Sequence, residues 1–434
     1  MPRPIPRNLS SNKIHDIMRF DTIIIGGGLA GLVCGLRLQE AGKQCAIVSA
    51  GQNAMHFFSG GFGLMSRMPD GTPVESPLNA IPALDAAHPY SRIGVEKIAR
   101  YAEEARTLLR SHGINVDGTA EKNRFIISAS GTLKPSWLTI DDIASVSSKD
   151  EKIAEKALIV NIEGFLDFNT SFIAAEFEKR GTTCRIEAVT TDEIRQLRRN
   201  PSEMRASNIA RLMEKSEVRE KFISAVKAEL GKGDETAVIL PAVFGLTSHD
   251  SIEAVREAIG VKTLFIGTLP PSVPGIRSQM QLKSAFEAAG GTFLMGDEVC
   301  GTDINDGKVT AVRTANIGDI DLTADTYVLA SGSYFGHGIV ADMDKVYEPV
   351  FGSDVIFNED RNSWYDKNFF SRQEFIGFGV ATDSDFKVLK GGRTISNLYA
   401  AGSVLGGFNP LYEGCGAGVA IMTAFQISDS ILGR

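Results

Sequence analysis

A cluster of glycines directly after an apolar segment is the feature of this chain that most clearly indicates chemistry. The β-branched run 20–25 leads into Gly26, Gly27, Gly28 and Gly31. The first glycine permits a tight turn, the third lets a phosphate approach the backbone, and the last lets a helix pack close to the strand. The helix start, at Leu29 and Ala30, offers N–H groups and a partial positive charge. This spacing predicts a nucleotide phosphate site.

The elements around these glycines must form a strand, a turn and a helix for the site to exist. The apolar pattern predicts a helix over 29–41, a turn at Gly42 and a second strand over 44–49. A signal or membrane-spanning segment is the alternative, because 23–36 carries no charge. That segment is too short to cross a bilayer, Arg37 interrupts it, and its glycine content is high. We therefore favour a βαβ nucleotide-binding unit.

The end of the second strand departs from the usual dinucleotide pattern. An Asp or Glu about twenty residues after the glycines normally holds the ribose hydroxyls of a dinucleotide. Here Ser49 ends the strand and supplies no charge. We therefore expect the adenosine half of a dinucleotide to be held loosely or to be absent.

The composition restricts the partners that this chain can have. It has 434 residues, 43% of them hydrophobic, and a net charge of −8, which suits a globular protein and argues against nucleic acid or an anionic membrane surface as the main partner. The five cysteines are scattered without a C-x-x-C pair, so we expect no metal site of the usual spacing and a reducing cytoplasm. No segment reads as a membrane span.

The order of predicted elements indicates a discontinuous α/β domain with an insertion. Residues 1–17 read as a polar extension, with Met18 as a plausible alternative start. Buried strands and charged helices within 122–274 indicate an inserted α/β or α+β cap domain that binds substrate. We expect the nucleotide-binding domain to comprise 18–121 and 275–434.

The C-terminal part is expected to complete this nucleotide-binding domain. Short strands from 292 to 322 predict a β-meander that leads into a buried strand, 326–330, and then Ser331 and Gly332. A later strand over 397–401 precedes Gly402 and Ser403. The glycine loop 414–418 opens an apolar terminal helix.

Together the turn 26–31, the meander, the strand 397–401 and the terminal helix resemble the two-dinucleotide-binding-domain flavoproteins, notably their succinate dehydrogenase and fumarate reductase branch. The resemblance implies a Rossmann-like FAD/NAD(P)-binding fold completed by the C-terminal segment. It also implies that N–H groups at the start of the last helix face the N1–C2=O edge of a flavin.

A closer resemblance covers nearly the whole chain from Met18 onward. Long stretches are similar to the B subunit family of anaerobic glycerol-3-phosphate dehydrogenases: 18–22, 56–57, 88–91, 205–211, 268–277 and 402–408. The resemblance implies a flavoprotein with non-covalent FMN, or alternatively FAD. It implies two partner subunits, one FAD-bearing and the other iron–sulfur and membrane-associated. The complex would oxidise a small phosphorylated polyol, sn-glycerol 3-phosphate, to dihydroxyacetone phosphate and pass electrons to quinone at the inner face of the cell membrane.

The expected cofactor contacts come from every glycine-rich loop of this pattern. They are Gly26, Gly28, Leu29, Ala30, Gly31, Ser49, Ser59, Gly60, Gly61, Gly332, Ser333, Gly402, Ser403, Gly414, Gly416, Ala417 and Gly418. Structural turns and tight helix packing are the alternative explanation for these glycines.

Two residues are candidates for chemistry on the substrate. Arg277, on a loop expected to face the cofactor, could bind a phosphate with two parallel hydrogen bonds, although a surface arginine is an equally good interpretation. His337 could act as a general acid or base, although a histidine in a structural turn is the commoner case. Two functions remain open: an enzyme that binds substrate itself, and a protein that only relays electrons within the complex.

Overall fold

The computed structural model describes residues 16–434, and a long N-terminal strand is central to its main sheet. The predicted extension 1–17 lies outside the described residues except for its last two positions. Those two positions already belong to the first strand, which begins two residues before Met18.

The strands of the described residues are β1 (Asp16–Ile25), β2 (Cys45–Ser49), β3 (Gly61–Phe62), β4 (Val116–Asp117), β5 (Arg124–Ile127), β6 (Leu133–Ser136), β7 (Leu138–Ile140), β8 (Ser145–Val146), β9 (Lys156–Ile162), β10 (Thr183–Val189), β11 (Ala237–Pro241), β12 (Lys262–Ile266), β13 (Thr292–Met295), β14 (Val299–Asn305), β15 (Lys308–Thr314), β16 (Ile320–Leu329), β17 (Val340–Ala341), β18 (Val346–Tyr347), β19 (Val355–Ile356), β20 (Gly379–Val380), β21 (Lys387–Lys390) and β22 (Arg393–Ala400).

The α-helices are α1 (Leu29–Glu40), α2 (Pro77–Ala80), α3 (Pro89–Ile93), α4 (Val95–Ser111), α5 (Thr170–Glu178), α6 (Asp192–Arg198), α7 (Ala206–Met213), α8 (Ser216–Leu230), α9 (Asp250–Ile259), α10 (Val273–Ala288) and α11 (Gly416–Leu432). None of the helices in the described part is long and apolar enough to cross a membrane.

The main sheet places several strand ends at one edge. Its order is β13-β2-β1-β16-β15-β14, and β22 and then β21 continue from β16. The strands β13, β2, β1, β16 and β22 are parallel, with Ile25 opposite Leu329 and Leu329 opposite Ala400. Their carboxyl ends therefore lie side by side, which is where open α/β sheets bind ligands.

The predicted meander is correct for three strands and wrong in two details. The strands β14, β15 and β16 are antiparallel neighbours, whereas β13 pairs in parallel with β2 at the opposite edge. The predicted strands 319–322 and 326–330 form one strand, β16. The first part of β16 pairs with β15 and its last part pairs with β22. Hydrogen bonds to neighbouring strands therefore hold both parts in the extended conformation.

The helix α10 begins earlier than the sequence pattern predicted. The apolar pattern over 279–289 predicts a helix that starts at residue 279, but α10 starts at Val273. The Ser272 hydroxyl accepts a hydrogen bond from the Gly275 N–H at 3.1 Å, and Pro274 occupies the first turn, where its missing N–H costs nothing. Arg277, which the sequence places on a loop, therefore lies on a helix.

A second, parallel sheet occupies the region predicted as an inserted domain. Its order is β10-β9-β11-β12, so the strands predicted there are confirmed. The small sheet β3-β7-β4 pairs strands from both sides of the predicted boundary at residue 122, and the boundary at 275 falls inside α10. The division into two domains therefore stays a prediction.

Candidate functional site

The turn after β1 requires glycine at its first position because two backbones meet there. Gly26 has φ +121°, a conformation that L side chains rarely adopt. A Cβ on Gly26 would overlap the carbonyl oxygen of Ala330, which follows β16. This close approach joins the ends of β1 and β16.

The last glycine of the motif lets α1 pack tightly against β1. A Cβ on Gly31 would overlap the carbonyl oxygen of Gly26 and would lie 3.3 Å from a methyl group of Ile24. The packing role that the sequence predicted for Gly31 is therefore observed.

Gly28 has a different environment, because the space beside it is open. Among residues 16–434, apart from the chain neighbours of Gly28, the only heavy atom within 4 Å of a Cβ on Gly28 belongs to Asn53, its Cβ at 3.9 Å. Gly28 is also the N-cap of α1, and no side chain caps that helix end. The Asn53 amide closes one side by donating to the Gly27 carbonyl at 3.0 Å. An open space beside uncapped N–H groups fits a phosphate.

The other strand ends of the sheet border the same turn. Gly402 follows β22, and a Cβ on it would lie 2.9 Å from the Ala30 Cβ. Gly332 follows β16, and a Cβ there would lie 3.8 Å from the Ser403 hydroxyl. Ser333 is half-buried and accepts hydrogen bonds through its carbonyl from residues 336 and 338. The structure therefore brings together the expected contacts from β1, α1, β16 and β22.

Two polar groups beside these strand ends have no hydrogen-bond partner within the described part of the chain. The Ser331 hydroxyl and the Tyr334 phenol are buried and make no hydrogen bond. Burial raises the pKa of Tyr334 to about 12, so its phenol stays protonated and can donate. Sequence reasoning missed Tyr334, because a tyrosine in a turn carries no distinctive pattern. Unpaired buried groups are costly, so these two fit a site that a ligand completes.

Ser49 lies beneath the glycine turn. It is 5% exposed, and its hydroxyl would be 2.5 Å from a Cβ on Gly27. The hydroxyl accepts a long hydrogen bond from the Gly51 N–H at 3.4 Å. A ribose contact by Ser49 stays a prediction.

The glycines of the loop 59–63 pack against other protein atoms at the positions that a Cβ would occupy. A Cβ on Gly60 would overlap Ile143, and one on Gly61 would overlap Ser136. The Ser59 hydroxyl accepts from the Lys134 ammonium at 3.3 Å. Packing therefore explains these glycines, and their contact with a cofactor stays a prediction.

At the start of α11, two of the N–H groups of the expected cradle are uncapped and the third is bonded within the protein. Gly416 and Ala417 begin the helix and are half-buried, and their N-cap, Cys415, supplies no side-chain cap. The N–H of Gly418, however, donates to the Gly63 carbonyl at 2.8 Å. It cannot also face a flavin, so the expected contact by the Gly418 N–H is wrong. Gly414, with φ +62°, forms the turn before the helix.

Arg277 is not a phosphate anchor in this structure. It is 3% exposed, and its guanidinium forms an ion pair with Asp142 and hydrogen bonds to the Gly245 and Phe244 carbonyls. Burial lowers the pKa of Arg277 to about 10. The prediction failed because Arg277 lies on α10 facing the protein interior.

His337 lies in an exposed turn. It ends the 3₁₀ turn Tyr334–Gly336 with φ +58°, and its N–H donates to the Tyr334 carbonyl at 3.2 Å. This geometry agrees with the structural interpretation, and an acid–base role for His337 stays a prediction.

The chain is similar to known flavoproteins over nearly its whole length. A family model described as an FAD binding domain matches residues 21–419. The anaerobic glycerol-3-phosphate dehydrogenase B subunit of Yersinia pseudotuberculosis is 40% identical over 421 residues, which cover 96% of this chain and 98% of that protein. The protein of the same name from Haemophilus influenzae is 37% identical and covers 96% of this chain and 100% of its own.

Among solved structures, a 3-ketosteroid delta1-dehydrogenase from Sterolibacterium denitrificans has a TM-score of 0.42 and 10% identity, covering 96% of this chain and 99% of its own. A likeness this distant carries no argument about the site.

We predict that Gly28→Val abolishes flavin retention while the protein still folds. Gly28 has φ −83° and ψ −173°, an extended conformation that valine adopts, and among the described residues the nearest non-neighbouring atom to its Cβ would be 3.9 Å away. The new side chain would instead fill the phosphate space. Flavin absorbance per protein, with a circular dichroism melt, measures both effects. Gly301→Val in β14, whose Cβ would lie 3.4 Å from Arg313, is the matched control. A Gly28→Val protein that keeps its flavin would refute this placement.

We predict that Arg277→Met destabilises the fold and leaves flavin content per folded protein unchanged. The substitution leaves Asp142 buried without its cation, which costs about 3–5 kcal/mol. Urea unfolding measures the loss. The double variant Arg277→Met/Asp142→Asn should recover part of it, because the unpaired charge is gone. An Arg277→Met protein with unchanged stability would contradict the structural role.

Proposed function

The chain belongs to the B subunit family of anaerobic glycerol-3-phosphate dehydrogenases, and from that premise we propose that it is the flavoprotein subunit of a complex that oxidises sn-glycerol 3-phosphate to dihydroxyacetone phosphate. In this reaction the substrate alcohol loses two electrons and two protons, and quinone takes them up through the partner proteins. The open, uncapped turn at Gly28 is the observation that carries the proposal, because it provides a phosphate site at the ligand-binding edge of the sheet.

The residues around the strand ends fit a flavin nucleotide. When bound, the flavin supplies the two-electron acceptor of the reaction. The first N–H groups of α1 would hold its phosphate, and Gly332 and Ser403 would border it at the neighbouring strand ends. The N–H groups of Gly416 and Ala417 would stabilise negative charge at the N1–C2=O end, helped by the dipole of α11. Tyr334 and Ser331 would donate their free hydroxyl hydrogens to the ligand.

We favour FAD over FMN as this flavin. The family model that matches the chain describes an FAD binding domain. Ser49, the residue whose lack of charge favours FMN, has its hydroxyl against Gly27 and Gly51. A serine in that position withholds a charged contact from the ribose, but a neutral hydroxyl does not by itself exclude an adenosine.

We predict that acid treatment of the purified chain releases intact FAD. The family model that matches residues 21–419 describes an FAD binding domain, and the glycine turn of such folds holds a diphosphate, which FMN lacks. Chromatography and mass spectrometry of the released cofactor distinguish the two flavins. Release of FMN alone, from protein prepared without nucleotide pyrophosphatase activity, would contradict this prediction and favour FMN.

One observation favours electron relay as a second candidate function. The residue expected to anchor the substrate phosphate, Arg277, is committed to Asp142 and to backbone carbonyls. Without that anchor, the chain would pass electrons from the flavin of a partner protein and would not bind glycerol 3-phosphate itself.

The name of the family implies a complex of several subunits, and we propose partners that supply what this chain lacks. An FAD-bearing partner would contain a second flavin. An iron–sulfur, membrane-associated partner would carry electrons to the membrane, because none of the described helices could cross it. In this proposal the chain is held peripherally at the inner face of the cell membrane through these two partners.

We predict that the isolated chain, loaded with flavin, oxidises glycerol 3-phosphate slowly and gains activity when the FAD-bearing and iron–sulfur partners are added. A dye-coupled assay with and without the partners measures both states. The reason is that substrate binding and electron exit depend on the other chains. Turnover by the isolated chain on the order of ten per second, a typical enzyme rate, would contradict the relay function.

A further inference from the structure

Three buried side chains from two distant segments meet just before α11. His88, Glu413 and Cys415 are 2%, 1% and 0% exposed. The His88 Nε2 lies 3.1 Å from a Glu413 carboxylate oxygen, and the Cys415 sulfur lies 3.7 Å from the same oxygen. None of the three was expected to have a role at the cofactor site.

These residue types bind metals, but the hydrogen bonds of His88 show a different arrangement. The Tyr90 N–H donates to the His88 Nδ1 at 3.0 Å, so Nδ1 carries a lone pair. The ring proton is therefore on Nε2, which donates to Glu413. The imidazole is neutral, and its Nε2 has no lone pair to offer a metal ion. The cluster is a hydrogen-bond network.

The network leaves one negative charge on Glu413. Its carboxylate accepts from the His88 Nε2–H, from the Asn409 N–H at 2.9 Å, and from the Cys415 thiol. Each contact is with a donor, as an ionised carboxylate requires. Within residues 16–434 the charge has no Lys or Arg nitrogen within 4.0 Å, and His88 is neutral.

Burial and the nearby Glu413 charge raise the pKa of the Cys415 thiol well above its usual range. Cys415 therefore adds no second charge.

The charge is fixed in place beside the N–H cradle of α11. The Glu413 carbonyl accepts from the Ser66 N–H at 2.8 Å, and the Gly418 N–H donates to the Gly63 carbonyl at 2.8 Å. These bonds tie the segment 63–66 to the start of α11. Glu413 is thus held three residues before Gly416, the first residue of the cradle.

We propose that Glu413 is a positioning residue whose buried charge lowers the reduction potential of the flavin bound at the start of α11. This rests on the proposed function. Uptake of two electrons and one proton leaves one negative charge at the N1–C2=O end, which the helix N-terminus stabilises. A fixed carboxylate nearby opposes that charge. Glu413 therefore keeps the reduction potential of the bound flavin low, so that the reduced flavin gives its electrons readily to the next carrier.

The test is the midpoint potential of the purified flavin-containing protein, with Glu413→Gln compared against the original. We expect the equilibrium constant for two-electron reduction to rise about tenfold, a shift of about +30 mV. One charge at about 10 Å in a medium of effective dielectric constant ~25 gives an effect of this size.

The matched control is Glu348→Gln, which makes the same change in another carboxylate that is 1% exposed. Glu348 accepts from the N–H groups of Val350, Phe351 and Ser353. The carbonyl of Val350, in turn, accepts from the Thr302 hydroxyl of β14. We expect the Glu348 substitution to lower the melting temperature and leave the potential unchanged.

The outcomes separate this inference from the proposed function. An original protein that binds no flavin contradicts the proposed function. A flavin-containing Glu413→Gln protein with an unchanged or lowered potential, or an equal shift in Glu348→Gln, overturns the inference alone. If Glu413→Gln does not fold, Cys415→Ala removes one donor and keeps the charge. The reduction constant should then fall about threefold, or about 14 mV, and a rise would overturn the inference.

Discussion

The close approach of Gly26 to the Ala330 carbonyl is the constraint on which the rest of the site depends. No side chain fits between them, so the ends of β1 and β16 can lie side by side. Gly31 repeats this constraint between α1 and the turn, and Gly402 repeats it between β22 and α1. Together these contacts point the uncapped start of α1 into the space where three strands end.

Charge at the site is set mainly by backbone groups. The N-termini of α1 and α11 provide partial positive charge for phosphate and for reduced flavin. The buried Glu413 opposes the second of these. Arg277, the arginine that the sequence assigned to phosphate, instead joins α10 to Asp142 in the segment before β8. Its guanidinium also donates to the Gly245 carbonyl, in the segment after β11.

The parts of the site that the sequence predicted are those specified by local pattern. The glycine turn, the strands of the second sheet and the terminal helix each have the residue types and spacing that their geometry requires. The start of α10 was misplaced because Pro274 and Gly275 suggest a loop, although Ser272 and Pro274 form a normal helix start. The cluster of His88 with Glu413 was missed because 325 positions separate them, and only the folded chain brings them together. The Gly418 N–H was misassigned for the same reason, since its acceptor, Gly63, is distant in sequence.

A structure of the purified chain with the flavin it retains tests the central claim most directly. We expect a flavin phosphate within hydrogen-bonding distance of the first N–H groups of α1, beside Gly28. We also expect the N1–C2=O end of the flavin against the N–H groups of Gly416 and Ala417. A flavin bound elsewhere, or a Gly28 turn filled by the protein's own side chains, would contradict the account.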